Sequence, residues 1–309
     1  MSRGADALQT RAEILKLARM LEREPEELAY LDCVAVAEVR ALREQISAAL
    51  WSADNASLSR LAAASKLLPV PIIATIAQRA FGPLLAARMA ERLDPSRAVD
   101  VAGRLPIDFL ADLAVELDPR RAAAVLVRIE PDRIGAITRV LVARGEHVPM
   151  GRFVGHLGED ALRAALAEMD DATLLQVGFV LEDKHRLPLI VSLLALERLR
   201  GLILAAAQQE LWVQALDLLG HLSPEQTAVI VDGAAQLDPT AREAIAGAVI
   251  EHELWDQAVV IAEADSALRS TLAERIAMLP ARRRRTLAKR AAQEGAIGRL
   301  GPLGEALAL

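Results

Sequence analysis

Aromatic side chains are nearly missing: four Phe, three Trp and one Tyr make up 3% of 309 residues. Sheets draw on aromatic and β-branched residues, whereas more than a third of this chain is Ala and Leu, strong helix formers. The expected fold is therefore all-α. Cysteine is as scarce. The single thiol, Cys33, has no partner for an internal disulfide, and its setting in Leu31-Asp32-Cys33-Val34-Ala35-Val36 reads as a small buried hydrophobe in a reducing cytoplasm. A long apolar run is lacking too. The most apolar stretch, residues 67–78, covers twelve residues between Lys66 and Arg79 and holds Pro69 and Pro71, short of the roughly 20 that a span requires. No transmembrane segment is expected, and the opening Met-Ser-Arg-Gly-Ala-Asp has no apolar signal core, so the expected location is cytoplasmic.

Motifs of catalysis are also missing. The chain has no Gly-x-Ser-x-Gly elbow, Gly-rich phosphate loop or Cys-x-x-Cys, and its five histidines (His147, His156, His185, His221 and His252) form no zinc-type pair. His147, His185 and His252 fall near expected helix ends, where an imidazole can cap terminal carbonyls. Glu159-Asp160 and Asp170-Asp171 supply oxygen ligands of the kind Mg²⁺ takes, but both pairs fall where helices should start, which favours capping. No catalytic, cofactor-binding or metal-binding residue is assigned, and no enzyme is expected.

What the chain does have is an uneven charge. Its formal total is −6, which disfavours general nucleic-acid binding, yet residues 281–309 hold seven Lys or Arg and two acids, a net of +5 against −11 for the rest. Of 36 basic residues 32 are Arg, which with the alanine excess resembles the bias of a GC-rich bacterial genome. The run Arg282-Arg283-Arg284-Arg285, followed by Lys289 and Arg290, is the strongest local anomaly. On a helix Arg282, Arg285 and Lys289 share a face. The candidate interaction residues are Arg282, Arg283, Arg285, Lys289 and Arg290, for a protein partner, an anionic lipid or a nucleic acid; a solvated terminal face is the plainer reading.

The chain also repeats. Leu93-Asp94-Pro95, Leu105-Pro106, Leu117-Asp118-Pro119 and Ile129-Glu130-Pro131 set prolines 11, 13 and 12 residues apart. An acid before proline is a helix-start signal, so each unit should be one short helix that must stack on its neighbours. Gly155-His156-Leu157 returns as Gly220-His221-Leu222, and Glu210-Leu211-Trp212-Val213-Gln214-Ala215 returns as Glu253-Leu254-Trp255-Asp256-Gln257-Ala258. Equivalent positions in successive modules point to Trp212 and Trp255 as core wedges.

The Leu-Asp-Pro-x-x-Ala units at 93–98 and 117–122, with a short helix per dozen residues, resemble the cytoplasmic N-domain of MgtE-type magnesium channels and the related superhelices of the flagellar switch protein FliG, over roughly residues 61–185. The resemblance implies a right-handed superhelix, an α-solenoid of short helices, and admits magnesium or small-ligand sensing; channel activity is not implied, since no pore-forming helices are evident. The expected organisation is an N-terminal helical hairpin over 1–55 made of two helices, a short-helix solenoid over 56–210, further modules over 211–294 that end in the basic helix, and a flexible tail over 295–309. The very apolar segment 187–209 should lie inside the stack. Polar residues 51–57 read as a joint. The hairpin's apolar stripe would serve to fold back on the solenoid or to build a homo-oligomer. The expected function is a non-catalytic scaffold or regulator binding another macromolecule, with ion sensing and carriage of an apolar ligand in a cleft lined by 67–85 and 187–204 as alternatives.

Overall fold

The structure, a computed structural model, describes residues 3–52 and 55–308, and among them every regular element is helical. Part of the expected joint, residues 53–54, lies outside the described residues. The chain divides into a central unit, Arg40–Asp183, and a split unit that joins Met1–Val39 to Lys184–Leu309.

In the central unit most helices pack on the one two places further along. Asn55–Ser65, Gly82–Ala90, Ile107–Glu116, Pro131–Ala143 and Glu159–Ala167 form one row, and Val70–Ile76, Pro95–Ala102 and Ala123–Leu126 form a second. Ten-residue helices are unstable alone, so the stability comes from the apolar seam between rows, where Ala87, Leu117, Ala122 and Leu126 cluster. The expected start signals work at several positions. The carboxylate of Asp94 accepts the Ser96 N–H at 3.0 Å, and Asp170 accepts that of Thr173 at 2.7 Å. Asp118 instead holds a turn by accepting the Arg120 N–H, and the helix after it is only Ala123–Leu126. An arginine three residues after the acid adds a second device. Arg97 donates to the carbonyls of Ser65 and Leu68, and Arg133 to those of Ala102 and Leu105, which satisfies the orphan acceptors of the preceding helix ends.

The split unit follows the same two-along rule: Leu196–Gln208 packs on Pro224–Ala235, Trp212–Leu219 on Pro239–Glu251, and Pro239–Glu251 on Ser266–Ala277. Its corners are alike. Glu22, Glu210, Glu253 and Gly295 have φ between +52° and +65°, and the N–H of the next residue reaches the carbonyl five back, as in Leu211 to Ala206, Leu254 to Val249 and Ala296 to Ala291. This is the 6→1 bond of a helix C-terminus, here closed three times by glutamate in place of glycine. Gly145 makes the same corner in the central unit.

Several expectations fail. The N-terminal segment is three helical pieces, Arg3–Leu21, Pro25–Cys33 and Val36–Ser52, because Glu22 turns the chain and Pro25 starts a tight 3₁₀ helix. The first piece folds back onto the repeats. Gly4 lies so close to the His252–Glu253 corner that a Cβ would fall 1.9 Å from the His252 oxygen, and the helix packs on Trp212–Leu219. Cys33 is exposed, at the end of the 3₁₀ helix, with Sγ donating to the Tyr30 carbonyl at 3.3 Å. The expected flexible tail is folded: Ile297–Leu300 and Pro302–Ala308 are helices whose Leu300, Leu303 and Leu307 are buried, with Gly301 at φ +52° providing the turn. Segment 187–209 is only half interior, since Leu189, Leu196 and Leu204 face solvent.

Candidate functional site

Pro280 leads into the helix Ala281–Gln293 and supplies no side-chain cap. Leu287 and Ala291 are its buried residues, and the helix packs on Pro302–Ala308. Arg282, Arg283, Arg285, Lys289 and Arg290 are all exposed. Arg290 pairs with Glu253, the corner residue, but Arg282, Arg283, Arg285 and Lys289 meet no acid among the described residues. Other cations of the chain do find one: Arg299 reaches Asp256 at 2.7 Å, Arg275 reaches Glu243 at 3.6 Å, and Arg139 grips Glu168 through two bonds of 2.7 Å. The unpaired arginines also occupy the first turn and a half of their helix, where its dipole is positive, so each is placed against the local field.

The other sequence candidates have structural employment. Trp212 and Trp255 each open a helix directly after a glutamate corner and are buried, Trp255 to 1% exposure. His252 ends the helix Pro239–Glu251, as expected, whereas His147 stands at the start of His147–Phe153, the wrong end for capping carbonyls. Burial pushes the imidazole of His147 below its ordinary pKa against the pull of Asp170 and Glu146. Burial does the same to His221, aided by Lys184 and opposed by Asp217. Asp170 is engaged as a cap, and Glu159 and Asp160 pair with Arg163 at 2.5 and 3.6 Å. Among the described residues no three His, Cys, Asp or Glu converge as metal ligands.

A cavity of about 270 Å³ lies in the central unit, walled by residues between Leu61 and Ile129, including Ile73, Phe81, Met89 and Leu113. Ser65 is the one polar residue of its lining, and its hydroxyl is spent on the Ala62 carbonyl at 2.7 Å. A second space of about 80 Å³ shares the wall of Leu110, Leu113, Leu117, Leu126 and Ile129. No residue of 187–204 lines either space, so the expected cleft is only half right: its other wall comes from residues 86–129.

Beside the stack sits a charged cluster that the sequence did not announce. Arg43 donates to Glu182 at 2.9 Å, Asp118 accepts from the Arg120 side chain at 3.4 Å and forms an ion pair with Arg121 at 3.3 Å, and Glu91 accepts the Asp118 N–H at 3.1 Å. Burial works to raise the Asp118 carboxyl, but the Arg120 guanidinium and N–H and the nearby Arg152 hold it below the ordinary value. Burial depresses Arg152, against the pull of Glu182 and Asp118. The cluster fastens Val36–Ser52 to the repeats and presents no nucleophile or free acid–base pair.

No protein-family model matches this chain, and no curated protein or solved structure matches it significantly.

Proposed function

We propose that the protein is a non-catalytic helical-repeat scaffold or regulator that binds an acidic partner protein through the helix Ala281–Gln293. One observation carries this reading: Arg282, Arg283, Arg285 and Lys289 are exposed and unpaired on a chain that pairs many of its other cations. The run Arg282 to Arg285 at a helix start, with Lys289 further along, raises the energy of the free protein, and an acidic partner would discharge that penalty on binding. Rows of short helices present extended outer faces suited to a macromolecule.

The test is affinity capture from the host with the full-length protein and with an Arg282→Glu, Arg283→Glu, Arg285→Glu variant, washed at low and high salt. A defined acidic protein held by the parent and lost from the variant is the expected result. Recovery of the same proteins by both, or of nucleic acid alone, would overturn the reading.

A further inference from the structure

From Asn55 to Ala90 the sequence holds no acid and four cations, Arg60, Lys66, Arg79 and Arg88, inside a chain of formal charge −6. The same stretch exposes Leu61, Leu67, Leu68, Ile72 and Leu84, with Leu67 at 88%. Arg60, Lys66 and Arg79 are exposed and make no ion pair with any described residue. Val70–Ala90 is long and apolar enough to cross a membrane by length and composition, yet only 28% of its most apolar window is buried in the fold, so it is no ordinary core helix. Nor is it a straight rod. Gly82 at φ +69° breaks it, leaving residues 70–81 a helical length of roughly 18 Å against a hydrocarbon core of about 30 Å.

The apolar cavity opens at this stretch. Leu61 and Leu68 both line it and reach solvent, and each of the four cations lies within two residues of a lining residue: Leu61, Ser65, Ala77 and Met89 in turn. An apolar surface rimmed by Lys and Arg is the composition of an interfacial membrane site, where side chains such as Leu enter the acyl boundary and cations meet anionic headgroups. We propose that this face docks on an anionic membrane, with Leu67, Ile72 and Leu84 entering the acyl layer, Arg60, Lys66 and Arg79 meeting the headgroups, and one lipid chain occupying the cavity. The wall admits nothing more polar, because its one hydroxyl is already bonded. A second copy of the chain is a poor occupant: a two-fold contact would set these cations against themselves with no acid in the stretch to offset them.

The experiment is co-sedimentation of the full-length protein with vesicles of phosphatidylglycerol in phosphatidylcholine and with vesicles of phosphatidylcholine alone. Binding is expected to the anionic vesicles only. It should fall about tenfold or more in Leu67→Glu with Leu84→Glu, and in Arg60→Gln with Lys66→Gln, exposed positions at which folding, checked by circular dichroism, is unaffected. Arg282→Glu with Arg283→Glu should leave it unchanged. Equal binding to both vesicles, no binding, or binding abolished by the Arg282 pair alone would overturn the proposal, as would a concentration-dependent dimer dissolved by Leu67→Glu. For the chain in the cavity, Phe81→Trp should be quenched by lipids brominated on the acyl chain, and an unquenched tryptophan refutes that part.

Discussion

Replacing Arg282 and Arg283 by glutamate should stabilise the protein while it weakens binding. Both residues stand in the first turn of Ala281–Gln293, a helix with no side-chain N-cap and no acid in that turn. A cation there opposes the helix dipole by about 0.3–1 kcal/mol at low salt, toward the lower end for exposed side chains, and a carboxylate gains a similar amount. Two charge reversals therefore add about 1–2 kcal/mol, with further relief of repulsion from Arg284 and Arg285 at the following positions. On a domain of the split unit's size, where each kcal/mol moves the midpoint by about 2–4 °C, this raises the melting temperature by about 2–8 °C. Thermal denaturation followed by circular dichroism at low and at high salt measures it, the gain shrinking as salt screens the exposed charges. The two units can melt separately, so the transition to follow is the one that a split-unit substitution such as Leu303→Ala shifts. A drop in melting temperature would refute the reasoning, since it would mean that the arginines satisfy something within the fold. A gain at low salt that survives high salt unchanged would also refute it, because the effect would not then be electrostatic.

Gly4→Ala should destabilise the split unit by about 1–3 kcal/mol in urea denaturation, because the new methyl meets the His252 carbonyl and the backbone must move. Leu303→Ala removes a side chain 1% exposed and should cost about 2–5 kcal/mol, whereas a flexible tail would register nothing. Burial holds His147 and His221 below their ordinary pKa, so as pH falls below about 6.5 the unfolded chain takes up protons that the folded chain refuses. Stability is full above that pH and declines below it. Melting temperatures recorded from neutral to mildly acid pH should show the decline, and His147→Gln with His221→Gln should flatten it.

The class of fold and many of its punctuation marks are written in local sequence. Asp94 and Asp170 before helix starts, and the paired Trp212 and Trp255, act through neighbours a few residues away or through one repeat, which is why pattern alone finds them. Cys33 misled because alternating apolar neighbours suggest burial, while the 3₁₀ helix Pro25–Cys33 turns it outward. The tail misled because Gly298, Gly301 and Gly304 read as breakers; Gly301 is a turn between two helices, and Gly304 lets the backbone pass Ile297, whose oxygen would lie 2.4 Å from an added Cβ. Of the cavity only one wall, within residues 67–85, was legible as an apolar stretch. Its wall draws on several helices between Leu61 and Ile129, and no window of sequence encodes the gap left when they stack. The basic helix was legible as a run of arginines, but that Arg290 finds Glu253 while Arg282, Arg283, Arg285 and Lys289 meet no acid among the described residues is a property of what packs beside it.

The glutamate corners join these levels and can be tested against one another. A non-glycine residue in the left-handed region costs about 1–2 kcal/mol, and glycine removes that strain while adding roughly 0.5–1 kcal/mol of unfolded-state entropy. Glu210 is exposed and makes no ion pair with any described residue, so Glu210→Gly should stabilise by about 0.5 kcal/mol. Glu253 has the same φ of 56° but receives Arg290 from the basic helix. There the substitution discards an interhelical pair worth about 0–1 kcal/mol and should come out neutral or destabilising. The comparison matters because strain is equal at the two sites, so any difference in melting temperature reports the link between corner and basic helix. Equal shifts would mean that Arg290 contributes nothing to anchoring its helix. A larger loss at Glu253, relieved when Arg290 is also replaced by glutamine, would show the corner holding the arginine-bearing helix in place while its other cations stay free.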